Sequence, residues 1–237
     1  MKDVRTVIVI AGLIVISPSC DPPNQSRSTE ITGTRPIEFR AIEDNLVHDT
    51  LLIQTTFDLS DGSYVMVASN REDTWEGLRL YRYRLKADSL AELLAVSAPA
   101  YDSWTMLPTF FGKGSTVADG LWVLANFGER ESWGQKFMKL DSAFHDLGFL
   151  DATAVEWVDE GGTRALKRRN IGPFARMEFV GDSLRIAFDC DSVFLYDDRA
   201  GTMDQVIDAS RLRYTWTQDE GLTLWLDGQK RPAATPL

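Results

Sequence analysis

The 237-residue chain is poor in the residues that most often build chemical sites. It has two cysteines, Cys20 and Cys190, and two histidines, His48 and His145. Two cysteines cannot make a disulfide framework, so stability has to come from a packed core. Two isolated histidines exclude a three-histidine zinc centre and the H-E-x-x-H pattern. Positive charge is also scarce. With 25 Lys and Arg against 35 Asp and Glu, the formal charge is -10, which argues against a broad nucleic-acid-binding face and against electrostatic docking on anionic lipid. A G-x-S-x-G elbow is missing. Gly112-Lys113-Gly114-Ser115 lacks the rest of a phosphate loop and leads into a strand pattern where such a loop needs a helix. No cofactor is expected.

Long apolar runs are absent with one exception. Thr6 to Ile16, TVIVIAGLIVI, follows a short start carrying Lys2 and Arg5. The run is about half of the roughly 20 residues that cross a bilayer as a helix. A basic start, a short apolar stretch and then small residues make an export signal. Ser17-Pro18-Ser19-Cys20 follows it, and there the first twenty residues resemble a bacterial lipoprotein signal. That resemblance implies removal of residues 1–19, lipid on Cys20 and a membrane anchor at the cell envelope; ordinary secretion is the alternative. Residues 20–35, rich in small polar residues and proline, then read as a flexible tether. Residues 36–237 are expected to form a single all-β domain.

What the sequence has in quantity is alternating strand pattern between glycine turns. Gly62 to Trp75 and Gly120 to Trp133 share one spacing, and each span holds an apolar strand and a charged loop. Hairpins are expected around Asp61-Gly62, around 112–120, at Gly181-Asp182 and at Glu220-Gly221, with outer hairpins LRLYRYRL–LAELLAV, KFMKLD–DLGFL and VFLYDD–DQVID. Helical spacing at Leu90, Leu93, Leu94 and at Met203, Val206, Ile207 permits one-turn helices, but the recurrence favours strands. Units starting at Gly62, Gly120 and Gly181 recur about every 60 residues. Four strands per unit at this period resembles a small β-propeller of about four blades, with IEFRAIED completing the last; a β-sandwich is the alternative.

Candidate binding residues follow from the matched loops. Trp75 and Trp133 sit beside Arg71 and Arg130, and tryptophan in a polar loop offers a flat apolar face to a sugar ring or a protein. The competing reading is that each ring packs back on its own unit. Trp104, Trp157 and Trp216 lie in strand-like runs and are expected in the core. Asp189 and Asp191, near Asp197 and Asp198, are weak metal candidates, placed on one face if that stretch is a strand. Lys167-Arg168-Arg169 reads as a charged strand edge. Together these features predict an exported, lipid-anchored binding or scaffold module with a protein or glycan ligand. A glycan hydrolase using acidic loop residues and a structural part of an envelope complex are the alternatives.

Overall fold

Alternating apolar residues between turn dipeptides give strands, and the computed structural model is built almost entirely of them. It describes residues 31–43, 46, 50–72, 74–86, 90–101, 103–112, 120–128, 131–196 and 205–233. Among those residues, helix is confined to 3-10 turns such as Thr74–Glu76 and Gly172–Phe174, and no helix is long and apolar enough to cross a membrane.

The described chain opens with β1 (Ile31–Thr34). An antiparallel meander follows, made of β2 (Arg40–Ile42), β3 (Leu51–Asp58), β4 (Tyr64–Asn70), β5 (Leu78–Leu85) and β6 (Ala91–Val96). A second meander holds β7 (Thr105–Gly112), β8 (Leu121–Gly128), β9 (Ser132–Leu140) and β10 (Phe144–Leu150). The remaining strands are β11 (Ala152–Glu160), β12 (Thr163–Arg169), β13 (Ala175–Val180), β14 (Ser183–Phe188), β15 (Ser192–Leu195), β16 (Gln205–Asp208), β17 (Leu212–Thr217), β18 (Gly221–Leu226) and β19 (Gln229–Pro232). They sort into a third sheet, β12-β11-β15-β16, and a fourth, β1-β13-β14-β17-β18-β19.

Every expected hairpin forms, and Gly62, Gly120, Gly181 and Gly221 all take the positive φ their turns demand. Leu93, Leu94, Val206 and Ile207 lie in strands. How the hairpins combine differs from the blade expectation. β14 pairs with β17 and β15 pairs with β11, so the hairpins of the third unit belong to different sheets. The cause lies in two places. The turn after Phe188 carries the chain out of the fourth sheet, held by Asp189 N–H to Phe174 O (2.8 Å) and Ala209 N–H to Asp191 O (3.1 Å). The hairpin β11–β12, which belongs to no repeat, then occupies the edge of β15. IEFRAIED does not complete the last unit either; its Arg40–Ile42 adds to β3. Ile31–Thr34, at the end of the segment read as a tether, pairs instead with β13. Among the described residues the sheets do not close into a propeller ring.

Packing centres on the second sheet, which is covered on both faces. Leu121, Val123, Ala125, Met138 and Leu140 face the first sheet, against Val65, Val67, Leu78 and Leu80. Leu124, Phe137 and Leu150 face the third and fourth sheets, against Ala154, Met177, Ile186 and Tyr214. Adjacent Phe110 and Phe111 serve opposite faces. Trp122 stacks on Phe137 (centroids 5.6 Å apart) and meets Phe179 and Trp216, joining the second sheet to the fourth. Trp216 is thus a packing residue as expected. Trp104 and Trp157 are not core residues. Trp104 precedes β7 in a bend and is 71% exposed. Trp157 is 53% exposed because β11 outruns β15, whose pairing stops at Ala154; Arg164 covers the ring 4.9 Å from its centroid.

Where the second sheet hands over to the third, the fully buried Tyr214 hydroxyl donates to the Asp151 carboxylate at 2.6 Å. Burial, and then the Asp151 charge, push the phenol pKa well above its ordinary value. A raised phenol pKa adds stability that is fully present below the ordinary tyrosine value near pH 10 and is lost as pH rises from there through the raised folded value. Tyr214→Phe should therefore cost about 1–3 kcal/mol at neutral pH. Chemical denaturation at increasing pH should show the gap between wild type and variant narrowing only on the alkaline side.

Candidate functional site

Three loops meet at one end of the first two sheets. The β4–β5 loop carries Trp75, the β6–β7 connection spans 97–104, and the β8–β9 loop runs from Gly128 to Ser132. The first two are locked together by backbone. Gly77 has φ +67, and a Cβ there would overlap the Ala100 carbonyl. Leu78 and Ala100 form an isolated bridge, with Ala100 N–H donating to Leu78 O at 2.9 Å. The Ser103 hydroxyl accepts from Leu78 N–H (3.0 Å) and donates to Ala100 O (2.5 Å). Trp104 N–H reaches Gly128 O (3.3 Å), which brings in the third loop.

Lysine and arginine hold this junction from below. Lys136 on β9 is buried, and its ammonium donates to the Pro99 carbonyl. Burial depresses its pKa, partly offset by the Asp146 charge. Arg79 donates to Glu76 (2.8 Å) and to the Ser97 carbonyl (3.3 Å). The β8–β9 loop is clamped to the third sheet: Arg168 on β12 donates to Glu131 (2.7 Å) and to the Tyr196 hydroxyl, which itself donates to Ser132 O at 3.3 Å. The Arg168 guanidinium also lies over the rings of Phe194 and Tyr196.

Aromatic side chains stand on this framework in water. Trp75 is 70% exposed, and with Trp104 and Tyr101 it belongs to the junction of the first two loops. The packed reading of Trp75 therefore does not hold, and Trp104, assigned to the core from sequence, joins the candidate surface. Its signal in the sequence was the polar pair Asp102-Ser103 before it, outweighed by the apolar run after it. The side chain of Trp133 lies outside the described residues, as do Arg130, Cys20 and His48. Arg71, at the start of the β4–β5 loop, lines a cleft of about 440 Å³ with Ile42, Glu43 and β3 residues Leu51 to Thr56. This cleft opens where β2 stops pairing with β3.

Other sequence candidates stand elsewhere. Asp189 and Asp191 lie in the turn after β14 and not on a strand, because the chain is changing sheets there. Asp189 accepts from Arg35 (2.6 Å) and Arg176 (3.4 Å). Asp197 and Asp198 lie outside the described residues, among which no group of three metal-ligating side chains converges. Cys190 is a half-buried free thiol whose pKa burial raises. His145 bonds Asp141 (2.9 Å) in the β9–β10 turn. The loop carboxylates Glu76 and Glu131 each sit on an arginine. The Arg168 hydrogen bond holds Glu131 below the usual carboxylate range, the opposite of what a general acid needs.

No protein-family model matches the chain, and neither a curated protein nor a solved structure matches it. The site therefore rests on its own geometry. A depressed carboxylate pKa adds stability that is present above the ordinary glutamate value and lost as pH falls through the lowered folded value. Glu131→Gln should lower the thermal midpoint at neutral pH, and the difference from wild type should shrink steadily on acidification below about pH 4.5. A difference that stays constant with pH would show that the clamp acts by packing alone.

Proposed function

We propose that this is an exported, lipid-anchored envelope protein whose stacked sheets, nearer to a sandwich than to a propeller, present an aromatic binding surface at one end. The observation that carries the binding reading is the pair of tryptophans, Trp75 and Trp104, left about seven-tenths exposed on loops whose backbones are fixed. Fixing a loop before binding lowers the entropy cost of ordering it, and a flat indole supplies contact area at two torsions. Such a surface suits a glycan ring or an apolar protein segment. Catalysis has no comparable support, since the loop carboxylates are held in ion pairs. The anchor reading rests on the apolar run Thr6 to Ile16 and on Cys20 after small residues.

Replacing Trp75 and Trp104 together with Ala should abolish retention on purified peptidoglycan or on a glycan array. The thermal midpoint should move little, because substitutions of exposed side chains stay within about 0.5 kcal/mol. A large loss of stability would make both packing residues. Intact mass of the protein from a membrane fraction should show loss of residues 1–19 and a diacylglyceryl adduct on Cys20; an unmodified chain cut elsewhere would overturn the anchor.

A further inference from the structure

A sheet edge offers a row of unpaired backbone N–H and C=O groups, and proteins guard such edges with charge, proline, brevity or a covering segment. Most edges here are guarded in one of these ways. β12 carries Lys167, Arg168 and Arg169, and β19 carries Lys230, Arg231 and Pro232. β1, β2 and β16 have four residues or fewer. β7 contains Pro108 and is capped by two segments: the Gln54 amide bonds both Met106 backbone groups (2.8 and 2.9 Å), and Ile37 N–H reaches Phe110 O (2.7 Å). β10 is covered at Gly148 by Leu222 of β18.

β6 is different. Its sequence, AELLAV, has six residues and one charge, Glu92, already engaged by Lys86 at 3.5 Å. Among the described residues no strand lies beyond it in the sheet. A bulge at Leu94 puts Leu93 and Val96 on one face, opposite Tyr83 and Tyr81. Leu93 is 58% exposed there. That face continues inward through Tyr81, Tyr64, Leu85 and Ile53, which pack around Met66, Ala68 and Tyr83 on the side of the first sheet turned away from the second. An apolar stripe therefore runs out to an open backbone edge.

From this we infer that β6 pairs with β6 of a second copy, antiparallel about a two-fold axis, continuing the first sheet across a dimer. An open edge selects a strand, and the residue order selects this one. With the axis between Leu93 and Leu94, Ala91 of one copy meets Val96 of the other on the apolar face, and the leucines meet at the centre. Glu92 meets Ala95 on the opposite face, beside its own strand's neighbour Arg84. No like charges confront one another, which matters for a chain of formal charge -10. The arrangement is isologous, as a two-fold contact must be.

Sedimentation velocity on the full mature chain, in detergent where it carries lipid, tests this. Across about 1 to 100 μM the wild type should move from monomer to dimer by mass action. Leu93→Lys should stay monomeric over that range, with the thermal midpoint that the wild type shows at about 1 μM, where it is monomeric. Leu107→Lys, an exposed apolar residue on the guarded edge β7, should dimerise like wild type. Should Leu93→Lys fail to fold, a Glu92→Cys, Ala95→Cys chain in a Cys190→Ser background decides: oxidation should give a disulfide-linked dimer. A wild type monomeric throughout, a dimeric Leu93→Lys, or no linked dimer on oxidation would each overturn the proposal.

Discussion

Burial of the second sheet on both faces is the constraint on which the rest of the molecule depends. A sheet covered on one side alternates apolar and polar residues, whereas β8 is apolar at almost every position, with Leu121, Val123 and Ala125 turned one way and Trp122 and Leu124 the other. Such a strand cannot tolerate water on either side, so it fixes the first sheet against one face and the third and fourth sheets against the other. Loop positions follow from this stacking. The β4–β5, β6–β7 and β8–β9 loops meet because the two meanders that carry them are pressed together through Val67, Leu80, Val123 and Met138.

Polar side chains enter this apolar stack at its seams. Lys136 sits between the first two sheets, Arg168 and Tyr196 between the second and third, and Asp151 with Tyr214 where the second gives way to the third and fourth. Each has hydrogen-bond partners, as a buried polar group requires. They hold the exposed aromatics on a stiff base. An apolar surface in water is costly to keep in place if its backbone can collapse, and the Gly77–Ala100 junction denies it that freedom.

Individual hairpins were legible in the sequence because strand alternation and turn glycines are local signals. Asp61-Gly62, Gly181-Asp182 and Glu220-Gly221 mark turns whatever surrounds them. The choice of neighbour for each hairpin was not legible. β14 could continue into β15 by chain order, but prefers β17, and no feature within SLRIAF or SVFL encodes that choice. Exposure of tryptophan failed for a related reason. Trp157 sits in an alternating run like Trp216, but Trp216 meets Trp122 of the facing second sheet, whereas Trp157 lies beyond Ala154, where β15 stops pairing with β11. In the sequence Arg168 is one member of a charged edge; its reach to Glu131 across sheets is a tertiary fact with no local trace.

Native-state hydrogen exchange tests the central claim of this account, that the second sheet is the buried middle of a stack. Exchange free energy tracks how much structure must open to expose an amide. Amides of Val123, Leu124, Phe137 and Met138 should exchange only through global unfolding, with free energies equal to the stability from denaturant titration. Those of β12 and β19, single-sided edges, should exchange through smaller openings. Equal, low protection across β8, β12 and β19 would contradict the stack and return the fold to independent units.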